Sequence, residues 1–148
     1  MRNFLLILSS FTFYLSADLK VSLDQELKTL MPKVIEWRHD IHEHPELGNR
    51  EFRTSNKVKL HLEGLGIKVE SGIAYTGVVG LIEGGKPGPT IALRADMDAL
   101  PVEEKTGLPF ASKVRTKYLG NDVGVMHACG HDAHVAILMG VCLLYTSP

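Results

Sequence analysis

Met126-His127-Ala128-Cys129-Gly130-His131-Asp132-Ala133-His134 places three histidines, a cysteine and an aspartate within nine residues. An apolar stretch follows at once, with Val135, Ile137, Leu138, Met139, Val141, Leu143 and Leu144. That run predicts a buried helix from His131 to about Tyr145, so the polar cluster sits where a turn enters a helix. Thiolate and imidazole both suit zinc and other late first-row metals. A spacing of two in an extended turn lets Cys129 and His131 point to one side. Gly130 between them permits a tight backbone path. A turn that merely carries polar residues is the competing reading.

Upstream, Thr90-Ile91-Ala92-Leu93-Arg94 reads as a strand with a compact apolar centre, expected to be buried on both faces. It delivers Asp96 and Asp98 just past its end. Ligands in open α/β sheets bind beyond the carboxyl ends of strands. One acid could face a metal while the other holds a histidine's second nitrogen. Aspartates that cap a turn are the plain alternative.

Further back, Leu23, Leu27, Leu30, Val34, Trp37 and Ile41 recur at three- and four-residue steps and predict a helix from Leu19 to Ile41. Pro32 is expected to kink it or divide it in two. At its end, Arg38-His39-Asp40-Ile41-His42-Glu43-His44-Pro45-Glu46-Leu47 looks metal-like, but cations are favoured at helix C-termini, so His42 and His44 read as structural or substrate-adjacent. A second helix is predicted from about Glu51 to Glu63, stopped by Gly64 and Gly66. Ile67–Glu70 and Gly77–Ile82 read as strands, with a turn over 83–89. Leu100 to Val125 reads as turn-rich and irregular. The order predicts an α/β fold with helices packed on a mixed sheet.

Composition narrows the function classes. The chain has 148 residues, 45% hydrophobic and 22% charged, with a net charge of −1. One domain with an ordinary core is expected. The short basic cluster Lys113-Val114-Arg115-Thr116-Lys117 is too small a footprint for nucleic acid. Residues 1–17 have the layout of a secretory signal peptide: Arg2, an apolar run from Phe4, then small Ser16-Ala17. The apolar stretch is short for a membrane span. Export without stable membrane association after cleavage is therefore expected, leaving 18–148 as the mature chain. Cys129 reads as a ligand and Cys142 as a small core thiol.

Three blocks then stand in one order: Arg38 to Leu47, Leu93-Arg94-Ala95-Asp96-Met97-Asp98-Ala99-Leu100-Pro101, and Met126 to His134. Together they resemble the N-terminal part of the M20 metallopeptidase family. The nearest branch is the amidohydrolases that include hippurate hydrolases, N-acyl-amino-acid deacylases and auxin-conjugate hydrolases. The resemblance runs from about Leu30 to Leu144. It implies a zinc-exopeptidase-like catalytic domain holding two divalent metal ions (Zn, Mn, Ni or Co). The implied reaction is hydrolysis of the amide in an N-acyl amino acid, or in a short peptide for a carboxypeptidase. Cys129 and His131 inherit the role of metal ligands, and Asp98 the supporting catalytic role. Asp96 stands where other branches carry a ligand histidine. Asp132 and His134 are outer-shell candidates.

The same resemblance implies that a general-base glutamate and the remaining ligands lie downstream of the Cys-Gly-His block. The chain is thus expected to be incomplete at its C-terminus, to lack the lid and dimerisation domain of a homodimeric full-length protein, to be inactive alone and to fold poorly. Two other readings stay open. One is a binding module that keeps the fold without the reaction. The other is a structural zinc module, which needs His127 or His134 to join Cys129 and His131.

Overall fold

The computed structural model describes the backbone of residues 2–146 and the side chains of residues 20–146. Two compact units divide at Lys33/Val34. The helix α1 (Arg2–Glu43) is a single 42-residue element. It begins well before the expected start at Leu19. The expected signal segment, 1–17, lies where side chains are outside the described residues. Pro32 sits inside α1 rather than at a boundary. Proline removes one backbone donor, and the turns on either side stay helical. In the first unit Val21, Leu23, Leu27 and Met31 are exposed. The expected apolar stripe is therefore buried only in its second half. No helix among the described residues is long and apolar enough to cross a membrane.

The second unit holds everything else. α2 (Phe52–Gly64) closely matches its expected span. Glu46 begins it from outside: its carboxylate accepts the backbone N–H of Arg53 at 2.9 Å and of Thr54 at 2.8 Å. Those are two of the donors that a helix start leaves without an internal partner. Gly66, at φ +74°, turns the chain away from the helix. β1 (Lys68–Ile73) and β2 (Gly77–Leu81) then form an antiparallel hairpin.

The expected third strand over Thr90–Arg94 does not form. Ile91 is 79% exposed and Leu93 67%, where burial on both faces was expected. A strand needs a neighbour to complete its ladder, and no described segment pairs with 90–94. A second hairpin forms instead in the stretch read as irregular. β3 (Arg115–Tyr118) pairs antiparallel with β4 (Asn121–Gly124). Leu119 at φ +49° and Gly120 at φ +83° make the tight turn, both left-handed as a two-residue hairpin loop requires. Helix and sheet are combined as expected, but the strands form two separate antiparallel pairs. Among the described residues the parallel contact is a bridge between Leu47 and Ala99.

α3 (His131–Thr146) completes the unit and carries the expected span. It is buried along one face rather than all round. Val135, Ala136 and Met139 pack with Trp37 and Ile41 of α1, and Ala95 and Met97 lie against the same cluster. Ile137, Val141 and Tyr145 face outward. A second small cluster joins Leu47, Ala99 and Val125. Backbone bonds clamp the same place: Ala99 N–H donates to the Glu46 carbonyl at 2.7 Å, and Leu100 and Met126 exchange bonds at 2.9 and 3.0 Å. The acidic segment 96–98 is thereby pinned between the end of α1 and the approach to α3.

Three stability outcomes follow. Ile41 is fully buried, so Ile41→Ala should cost about 2–5 kcal/mol, read as a lower midpoint in urea unfolding. A Cβ on Gly124 would lie 2.6 Å from the Glu103 backbone. Gly124→Ala should therefore cost about 1–3 kcal/mol by overpacking, seen as a lower thermal midpoint. Asp40 links α1 to α2 through Arg53 and Lys57, each at 2.7 Å. Burial pushes its carboxyl up, but the hydrogen bonds from Arg53 and Lys57 outweigh that and hold it below its usual 3.8. A carboxyl with a depressed folded-state pKa stabilises above its unfolded value, and the benefit is lost as pH falls through the folded one. Asp40→Asn should cost about 0.5–1 kcal/mol at pH 7 for so open a pair, seen as a lower melting temperature. Melting curves at pH 7, 5 and 3 should show the gap to wild type narrowing only below pH 4.

Candidate metal centre

The turn into α3 is sharp because Gly130 adopts φ +83°. Its carbonyl accepts the N–H groups of Ala133 and His134 at 3.0 and 3.1 Å, which closes the first turn. His131 and His134 are three apart and so share one helix face. Their rings lie 5.6 Å apart. That face looks onto the pinned segment. Asp96 meets both histidines, with Oδ2 3.2 Å from His131 Nε2 and Oδ1 2.7 Å from His134 Nδ1. Asp98 holds the other side of His131: ring Nδ1 lies 2.9 Å from both its carboxylate Oδ1 and its backbone carbonyl.

Donor chemistry tests whether a metal fits. Two oxygen acceptors converge on His131 Nδ1, so Nδ1 is the nitrogen that carries the hydrogen. Nε2 is then left as the donor atom, aimed at a carboxylate oxygen. A lone pair facing a carboxylate is unfavourable unless a cation lies at that edge. One ligand atom each from Asp96, His131 and His134 lie within 4.8 Å of one another. Nitrogen and carboxylate donors at about 2.0–2.2 Å are what zinc takes. The residues fit the ion. The hydrogen bond with His134 holds the Asp96 carboxyl below its usual value, against the opposing effect of desolvation. Asp96 thus stays an anion, the form in which a carboxylate can hold a cation.

The residues expected to carry the chemistry fall in two places. His131 and Asp98 are in direct contact, and Asp96 and His134 join them. Cys129 is exposed and uncrosslinked, and is not one of the three converging residues. Cys142 is partly buried within α3, where burial pushes its thiol up.

Behind this face lies a second set of charged groups that sequence reading underrated. Asp132 is fully buried. Its Oδ2 accepts from Arg38 Nε at 3.1 Å and lies 2.9 Å from His42 Nδ1. The other nitrogen of His42 lies 3.1 Å from Glu104 Oε1. Glu104 in turn accepts from Thr106 Oγ1 and, at 2.6 Å, from the Ser112 N–H. Burial pushes the Asp132 carboxyl up, but the hydrogen bonds of His42 and of the Ala133 N–H prevail and keep it below its usual value. His42 is therefore a structural group, while exposed His44 bonds the Asp40 carbonyl. His127, 4% exposed, has no hydrogen-bond partner on either ring nitrogen among the described residues. Burial lowers its pKa to about 4, so it is neutral at pH 7. A charged residue in the first turn of an otherwise apolar helix was the available signal for Asp132. Glu104 had none, because it stands in a stretch without periodicity.

Known proteins are similar to this chain in sequence and fold. Residues 92–146 match the model of peptidase family M20/M25/M40. Thermostable carboxypeptidase 1 of Saccharolobus solfataricus is 52% identical over 124 residues, 83% of this chain and 30% of that protein. N-acetyl-L-cysteine deacetylase of Bacillus subtilis is 48% identical over 118 residues, 80% of this chain and 26% of that protein. The crystal structure of the Bacillus subtilis YXEP protein, described as a dinuclear metal binding peptidase from the M20 family, superposes with a TM-score of 0.71. It is 44% identical, covering 80% of this chain and 31% of that one. The chain thus spans about 30% of the length of such relatives. Matched by the family model over residues 92–146 and by relatives and a solved fold over about four-fifths of its length, the chain is similar to members of peptidase family M20.

Proposed function

We propose that this chain carries part of the metal centre of a hydrolase that cleaves the amide bond of N-acyl amino acids or short peptides. The observation that carries the reading is the convergence of Asp96, Asp98, His131 and His134 at the entrance to α3. Relatives named as a carboxypeptidase and a deacetylase support both substrate classes. Each cuts an amide next to an amino acid, so one chemistry serves both. The proposed cofactor is a pair of divalent ions, Zn, Mn, Ni or Co. Bound there, they would lower the pKa of a water and polarise the scissile carbonyl.

The chain's own residues prepare that place. His131 presents Nε2 because Asp98 occupies Nδ1, which fixes the tautomer and the ring plane. We assign His131 and Cys129 as ligands and Asp98 as the supporting residue; Cys129 lies outside the converging group and is assigned on the family resemblance. The converging group contains no glutamate to serve as general base, so this chain alone is proposed to bind metal without turnover. Export, directed by residues 1–17, and homodimerisation of the full-length protein complete the proposal.

Metal content after dialysis against Zn²⁺ or Mn²⁺ tests the assignment. The wild-type chain should retain metal, and His131→Ala should lose it. Asp98→Asn should weaken binding by about 10–100-fold, as loss of a group that orients a metal-bound histidine does. Hydrolysis of an N-acetyl amino acid should be absent in all three. Turnover by the wild-type chain would overturn the claim of inactivity, and failure to retain metal would overturn the site.

A further inference from the structure

We propose that Asp132 is a positioning residue for the metal centre: it locks the rotation of α3 against α1 and so aims His131 and His134 at Asp96. The inference rests on the reading of His131 as a metal ligand. Its basis is that one buried carboxylate ties α3 directly to α1 and, through His42, to the loop at Glu104. Arg38 and His42 reach it from α1, and Asp132 is the second residue of α3. Through His42 the chain of contacts continues to Glu104, whose side chain is likewise fully buried. Glu104 gathers the loop at Thr106 and Ser112.

Stability alone gives little reason for this arrangement. Buried ion pairs are often no more stabilising than apolar residues of equal volume. The seam already has Trp37, Ile41, Val135, Ala136 and Met139. Apolar packing, however, is non-directional. It holds α3 against α1 but specifies its rotation weakly. Hydrogen bonds are directional. Fixing Asp132 towards α1 fixes the azimuth of the whole first turn. His131 and His134 lie on the same rigid turn, on the side facing Asp96. A small rotation of α3 would move both imidazoles together, away from Asp96 and out of the reach of Asp98. The carboxylate therefore acts on the metal through His131, without touching the metal.

The test is a Co²⁺ titration of the full 148-residue chain, followed by visible absorption and by far-ultraviolet circular dichroism. Wild type should bind Co²⁺ and show ligand-field bands. Asp132→Asn should stay helical, bind about tenfold or more weakly and show a displaced band envelope, as outer groups that orient ligands do. Arg38→Gln removes only the half-exposed partner and should give a smaller loss in the same direction. Asp40→Asn disturbs an ion cluster between α1 and α2 and should leave affinity and spectrum unchanged. A folded Asp132→Asn with wild-type affinity and spectrum overturns the proposal. So does an Asp40→Asn that loses as much affinity, since the effect would then be general loosening. Should Asp132→Asn fail to fold, Arg38→Gln decides, and unchanged affinity there overturns the proposal. A wild-type chain that binds no Co²⁺ overturns the metal site itself, and this inference with it.

Discussion

The packing of α1 against α3 is the constraint on which the rest of the second unit depends. Trp37 and Ile41 on one helix meet Val135, Ala136 and Met139 on the other. Between 94 and 102 residues separate them in the chain. Closing so long a loop carries an entropic cost that only a well-buried contact offsets. Once closed, it brings His42 to Asp132 and the pinned segment 96–98 to the first turn of α3. The donors of the candidate centre are adjacent only because this seam forms.

Two kinds of force divide the labour there. Apolar burial supplies attraction between the helices. Carboxylates supply direction: Asp132 towards α1, Asp98 and Asp96 towards His131 and His134. All three aspartates keep few degrees of freedom once bonded. The segment that carries Asp96 and Asp98 is not held by a strand ladder. It is held by Ala99 and Leu100 through backbone bonds to Glu46 and Met126. Precision at the centre thus comes from a few backbone clamps at the end of α1 and the approach to α3.

Much of this was legible in the residues, for identifiable reasons. α2 and α3 were bounded correctly because their apolar spacing is strong and glycines flank them. His131 was singled out because a thiolate and an imidazole two residues apart suit a metal, and Asp98 because the family resemblance gives it a supporting role. The strand at 90–94 was misjudged because an apolar run reports a preference for burial, while strand formation needs a partner elsewhere. The hairpin of β3 and β4 was missed for the opposite reason. Arg115, Lys117 and Asp122 make it polar, and its evidence lies in the two left-handed residues of its turn. Glu104 could not be found at all, since its importance comes from a contact 62 residues away.

Electrostatics explains why these side chains tolerate one another. Asp96 and Asp98 approach a single imidazole from opposite edges. Two carboxylates so close repel, and a neutral imidazole has only one N–H to offer. Asp98 takes that hydrogen, which leaves the Nε2 lone pair facing the Asp96 carboxylate, an arrangement that a divalent ion between them would relieve. Asp132 stands apart from that face, with Arg38 and His42 around its Oδ2. The two clusters therefore play different parts. The one behind α3 is buried and pairs its carboxylates with Arg38 and His42. The one in front turns two carboxylates and two imidazoles towards one edge, with exposed Arg94 3.9 Å from Asp96, and such a convergence of donors is what a cation site needs.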